Sequence, residues 1–395
     1  MSGPEELART VLLCRDYVAD AVTDYEIPDI ELLFSQPPVK GSSLPNALLG
    51  VSEAFVRGAT ISIWPETRPD MIFALGDSLV EDYRAPCWRL TGEEWAGRIA
   101  LDGVGLPRSW TVEFPMGSMA SAVLAATEAF KFALRGLGLR GDYCREFLRA
   151  SRSCAWDFGV GGARRKEFDL GAADFISAGA ISQAALYALD RIPRIRMRGR
   201  IFDDDTTASS NLNRNMLSLE KDVGRAKVEV VAGRCQQLAL EPIAARYGSG
   251  KPESELLAPR VVVGVDDIPS RWEVQRRGPA WVAVGGTSHF NVSSSAHRVE
   301  EPCSGCLHPV GEPGPNVIPT VSFISFWAGM TIVMRLLEEA AGEPCPRERQ
   351  HLWLSPLRMD LPRAAMWLPV PARRDCPVEC FASRSLTEID PMLRK

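Results

Sequence analysis

From Asp174 the chain reads strand, turn, helix, strand, and the second strand runs out on three consecutive aspartates. Phe175 and Ile176 lead into a turn around Gly179, residues 181–189 look helical, and 198–202 form the next apolar run. That order argues for parallel pairing, with a nucleotide bound beyond the carboxyl ends of the strands. Residues 260–265 read as a further strand that delivers Asp266 and Asp267 at its carboxyl end. Residues 280–284 are another buried strand, and 322–341 read as a closing helix.

The expected fold class is therefore α/β: a Rossmann-like, mostly parallel sheet flanked by helices, with a smaller N-terminal α/β region. In residues 1–150 the short apolar runs 60–64 and 71–75 read as strands. The alanine-rich stretch 115–137 reads as a helix that can approach a neighbouring layer closely. Residues 151–171, rich in Arg, Gly and Ser, read as a connection, and 172–395 as the principal domain. The helix at 115–134 echoes the one at 322–341, which suggests two related halves.

Composition excludes several function classes. With a formal net charge of -5 the chain has no general attraction for nucleic acid or anionic membrane. It has no apolar run near the roughly 18 residues of a membrane span. Its first residues are acidic where a secretory signal is basic, so a soluble cytoplasmic location is expected.

Residues 203–227 combine Asp203 and Asp205 at a strand end, Asn211 and Arg214 within one helical turn, and Lys227 beyond. Carboxylates suit a sugar's hydroxyls and cations suit a polyphosphate, so this density of polar groups fits a nucleoside triphosphate. A strand-end carboxylate that caps the next turn, and a solvated helix face, are the plainer readings of the same residues. Four of the ten cysteines are paired as Cys303-Ser-Gly-Cys306 and Cys376-Pro-Val-Glu-Cys380. In a reducing compartment two such knuckles point to a tetrahedral thiolate shell for zinc, against two unrelated pairs of free thiols.

Taken in order, Ser177-Ala-Gly-Ala-Ile-Ser182, Asp203-Asp-Asp205, Ser210-Asn-Leu-Asn-Arg214, Lys227, Asp266-Asp267 with Arg271 behind, and Pro302-Cys-Ser-Gly-Cys306 form a specific series. Residues 174–342 resemble the MoeB/ThiF superfamily, whose members adenylate the C-terminal carboxylate of ubiquitin-like proteins and include ubiquitin-activating enzymes. The resemblance implies ATP, magnesium and zinc as cofactors. It implies that Gly179, Ala180, Asp203, Asp205, Ser210, Asn211, Asn213, Arg214, Lys227, Asp266 and Asp267 bind ATP, with Arg214, Lys227 and Asp266 catalytic. Asp266 is expected to hold magnesium, or else to cap the helix that follows, a duty Asp267 could equally perform. Cys303, Cys306, Cys376 and Cys380 are expected to hold zinc.

The implied partner is a ubiquitin-like protein, engaged through its C-terminal tail, with a conjugating enzyme downstream. A homodimer or an intramolecular pair of halves is expected, residues 1–150 then being a shortened inactive half in a bacterial member. Arg9 or Arg15 would reach phosphate across that boundary. The chain departs from the family at two points. Serines 177 and 182 replace the first and third glycines of the phosphate turn, and residues 307–320 contain no cysteine for a thioester, leaving only Cys235 or Cys345. A nucleotide-free scaffold is the alternative.

Overall fold

The computed structural model describes residues 24–26, 60–62, 70–76, 85–106, 114–136, 147–159, 167–248, 256–311, 321–343 and 345–386. β1 (Asp24–Glu26) and β2 (Thr60–Ser62) pair in parallel. β3 (Ile72–Leu75), β4 (Cys87–Glu93), β5 (Ala96–Leu101) and β6 (Ser153–Asp157) make a second sheet in that order. β3 and β4 run parallel, and the other pairs are antiparallel. Helix α1 (Met116–Gly136) lies directly on β4 and β5. Glycine at 117 permits this: a methyl there would collide with the carbonyl oxygens of Glu93 and Ala96.

The principal sheet begins with two successive crossovers, β7 (Phe168–Ile176), α2 (Ala180–Leu189), β8 (Ile195–Phe202), α3 (Lys227–Arg234) and β9 (Ala239–Ile243). A third follows in β10 (Arg260–Val263), α4 (Ile268–Arg276) and β11 (Trp281–Ser288). The chain then turns antiparallel through β12 (Asn291–Arg298), the short α5 (Ser304–Leu307), the long α6 (Ser322–Ala340), β13 (His351–Leu354) and β14 (Ala365–Leu368). The spatial order is β14-β13-β12-β11-β10-β7-β8-β9, and β11 through β9 are parallel. Layers cover both faces of the central strands, so Val261, Val262, Val263 and Trp281 to Val284 are all buried in unbroken apolar runs. α6 packs on α2 at Gly329, where a side chain would meet the backbone of Ile181 and Ala185.

The two sheets share one apolar core, which runs through α1 and α6. Phe130 on α1 sits 5.1 Å from Phe323 on α6, and Trp327 meets Trp156 at 5.7 Å and Phe158 at 5.9 Å. The sheets also repeat one order of elements. In each, two parallel strands are followed by an antiparallel hairpin partner, a long helix packed on that hairpin, and a second antiparallel strand. Residues 151–171, expected as a connection, instead contain β6 and the start of β7, because β6 completes the first sheet rather than leaving it.

Candidate nucleotide cleft and thiolate cluster

A cleft of about 850 Å³ lies at the carboxyl ends of β7, β8 and β10. It opens where the chain leaves β7 in opposite directions, to β8 on one side and β10 on the other. Open parallel sheets bind ligands at such a switch point. The walls bring together Gly179, Ala180, Asp203, Asp205, Asn211, Arg214, Lys227, Asp266 and Asp267. Ser210 and Asn213, expected beside them, brace an arginine instead: the Ser210 carbonyl and Asn213 Oδ1 accept from Arg214 at 2.7 and 2.9 Å. Arg9 and Arg15 lie outside the described residues.

The turn from β7 into α2 is organised by side-chain oxygens. Asp203 Oδ2 accepts from the Ala178 N–H at 2.7 Å and Oδ1 from the Asp205 N–H at 2.9 Å. The carboxylate therefore does cap a turn, and each oxygen keeps a lone pair for a hydroxyl in the cleft. Ser177 adopts φ +92°, a conformation that favours glycine, and its Oγ accepts from the Gly179 N–H at 2.9 Å. α2 has no side-chain cap, so its first-turn N–H groups and the positive end of its dipole are available to an anion. Ser182, at the third glycine position, is buried against Gly264.

Lys227 is the first residue of α3, nearly buried, and its Nζ lies 2.6 Å from Asp205 Oδ2. This excludes the solvated-face reading of that lysine. Asp267 is the cap of α4, accepting from the Ser270 N–H at 2.8 Å. Asp266 has no hydrogen bond or ion pair among the described residues. Behind it the Arg271 guanidinium donates twice to the Val265 carbonyl, and burial pushes its pKa down. Among the described residues, the lining of the cleft sets Asp203, Asp204, Asp205, Asp266, Asp267 and Glu273 against Arg214, Lys227, Arg246 and Arg276. With six carboxylates against four cations, a polyphosphate calls for a divalent cation as well.

Arg246, Tyr247, Glu273, Arg276, Thr287 and Ser325 also line the cleft and were not singled out in the sequence. Arg246 spans the mouth to the start of α4, 3.0 Å from Ser270 Oγ and 3.7 Å from Asp267. Arg246 and Tyr247 follow β9, so the same strand-end logic that finds Asp203 would have found them had β9 been recognised.

The four expected cysteines converge. Their sulfurs lie within 4.8 Å of one another, with Cys303 and Cys376 at 3.5 Å and Cys306 and Cys380 at 3.6 Å. Disulfides need about 2.05 Å, whereas tetrahedral ligation at about 2.3 Å separates sulfurs by roughly 3.8 Å. The donor set fits zinc. The Gly305 N–H also donates to Cys303 Sγ at 3.2 Å, a bond that suits a thiolate. The remaining candidate thiols are poor nucleophiles: burial raises the pKa of both Cys235 and Cys345, and Arg335 donates to Cys345 Sγ at 2.7 Å.

No model of a protein family matches the chain. An uncharacterized protein, y4jF, of Sinorhizobium fredii is 26% identical over 243 residues, 57% of this chain and 44% of that protein. The SAMP-activating enzyme E1 of Haloferax volcanii is 28% identical over 127 residues, 30% of this chain and 47% of that enzyme. This match to an E1 enzyme supports the MoeB/ThiF-like resemblance of the sequence. It spans somewhat under half the length of the curated relatives it matches. Among solved structures, Escherichia coli MccB with ATP has a TM-score of 0.44 at 13% identity, covering 74% of this chain and 97% of that one. PaaA has a TM-score of 0.38 at 15% identity, covering 47% and 69%. The similarity to an E1-like enzyme thus rests on the 127 residues matched in sequence. No described helix is long and apolar enough to cross a membrane.

Proposed function

We propose that the chain adenylates the C-terminal carboxylate of a ubiquitin-like or other small protein, using ATP. The observation that carries this is the convergence of Asp203, Arg214 and Lys227, beyond the end of β8, with Asp266, beyond the end of β10, on one cleft at the uncapped start of α2. Asp203 binds the ribose with its remaining lone pairs. The α2 N–H groups, Asn211, Arg214 and Lys227 hold the phosphates and neutralise charge that moves onto the departing pyrophosphate. Lys227 exchanges part of its contact with Asp205 for phosphate. No protein nucleophile is needed, since the substrate's own carboxylate attacks the α-phosphorus and the protein supplies position and charge.

Asp266 is the residue that holds magnesium, which when bound supplies further charge neutralisation at the phosphate oxygens. Cys303, Cys306, Cys376 and Cys380 hold zinc as a closed, structural site. The buried state of Cys235 and Cys345 argues against a thioester on either. A scaffold that binds a partner without turnover is the second reading, favoured by the strained Ser177 in place of glycine. Calorimetric titration with magnesium ATP separates the two. Adenylation requires binding that weakens at least tenfold, by loss of a charge-assisted contact, in Lys227→Ala; a wild-type protein that does not bind ATP is a scaffold.

A further inference from the structure

Ser325 is the fourth residue of α6, 1% exposed, and its hydroxyl has no hydrogen-bond partner among the described residues, yet it lines the cleft. Buried hydroxyls are normally paired, so an orphan facing a cleft needs a reason. The chain contains its own control. Pro115-x-x-Ser118-x-x-Ser121 and Pro319-x-x-Ser322-x-x-Ser325 begin the two long helices that occupy matching places in the two sheets. In the first, Ser121 Oγ accepts from the Arg98 N–H at 3.1 Å and donates to the Thr91 carbonyl, tying helix to hairpin. Ser325 makes neither kind of bond to its own hairpin and faces the cleft instead.

Its position in the cleft indicates what it meets. Asp203, Arg214 and Lys227 stand on the β8 side of the α2 N-terminus, whereas Thr287 of β11 and Ser325 of α6 stand on the opposite side. Given the adenylation reading, on which this inference rests, the nucleotide occupies the first side and the second is left for the group that attacks it. We propose that the β11 side holds the acyl end of the substrate, with the Ser325 hydroxyl donating to one oxygen of its terminal carboxyl group. The other oxygen attacks the α-phosphorus. The bond from phosphorus to the bridging oxygen of pyrophosphate breaks, pyrophosphate leaves with the electron pair, and the hydroxyl keeps its bond to the carbonyl oxygen of the acyl adenylate.

The test compares two probes by calorimetry, magnesium ATP and 5′-O-(N-glycylsulfamoyl)adenosine, a stable mimic of an acyl adenylate. In Ser325→Ala the glycyl compound binds about fivefold or more weakly, ATP binds within twofold of wild type, and Tm does not fall, because removing an unpaired hydroxyl costs the fold nothing. Ser121→Ala does the reverse, lowering Tm and leaving both affinities alone. Equal weakening of both ligands in Ser325→Ala would make the residue a nucleotide contact, and unchanged affinity for the glycyl compound would make it packing; either overturns the inference while leaving adenylation intact. Failure of the wild-type protein to bind ATP removes the adenylation reading, and the inference with it.

Discussion

Ser182 takes space that a glycine would leave free, and the chain returns that space from the neighbouring strand end. A methyl at Gly264 would collide with Ser182 Oγ, so the smallest residue has moved from the turn to the partner opposite it. Gly264→Ala is therefore expected to cost about 1–3 kcal/mol by overpacking. Ser182→Ala removes an unpaired buried hydroxyl and should return most of that loss in the double variant. Thermal unfolding of the two single variants and the double checks it; additive losses would mean that the two residues do not share the space. The first replaced glycine is handled differently. Ser177 keeps its positive φ and uses its hydroxyl to satisfy the Gly179 N–H.

α4 connects the cleft to the thiolate cluster. Its N-terminus is capped by Asp267 at the cleft, while near its other end Arg276 donates to the Pro377 carbonyl at 2.8 Å and Gln275 Oε1 accepts from the Ser304 N–H at 3.3 Å. Between them Trp272 Nε1 donates to the His308 carbonyl at 3.0 Å. Metal analysis is expected to find about one zinc per chain, lost in Cys303→Ser together with several degrees of Tm and with amide protection in α4 ahead of β7. An unchanged Tm on metal loss would mean the cluster supports nothing.

The elements best read from sequence are those with one dominant physical cause. β10 and β11 are buried on both faces and appear as apolar runs, and α1 and α6 are long enough for helical spacing to be unmistakable. β9, Ala-Leu-Glu-Pro-Ile, is an exposed edge strand interrupted by Pro242, so neither run nor alternation marks it, and Arg246 and Tyr247 beyond it stayed hidden. β12, Asn-Val-Ser-Ser-Ser-Ala-His-Arg, reads as a loop by composition. It is a strand because the ladders from β11 and β13 hold it, and two of its three hydroxyls are used internally, Ser293 with His351 at 2.9 Å and Ser295 with His297 at 2.8 Å. Strand-end acids and paired cysteines were legible at the site because their spacing alone limits their chemistry. Ser325 was not, since only the tertiary fold leaves it without a partner.

At the scale of the molecule, two units with the same order of elements are joined by α1 and α6 into one core, and the second carries the candidate nucleotide cleft. We read the first as a shortened companion of the second. The joined core also holds neutral histidines. Burial depresses His297 and His351 to about 4, well below the roughly 6.5 of an unfolded chain. As pH falls below about 6.5 the unfolded chain takes up these protons first, so stability present above that pH is progressively lost toward about 4. Denaturant unfolding between pH 7 and 4.5 should show this decline, and His297→Gln should flatten it; a flat profile in the wild type would contradict it.

The central claim is that the cleft activates a carboxylate at the α-phosphorus of ATP. Its most direct measurement is exchange of labelled pyrophosphate into ATP by the chain with magnesium and a small protein ending in a free carboxylate. Label is expected to enter ATP only with that protein present, and Asp266→Ala to abolish the exchange. Bound ATP that yields ADP and phosphate, with no exchange in the presence of the protein, would contradict it.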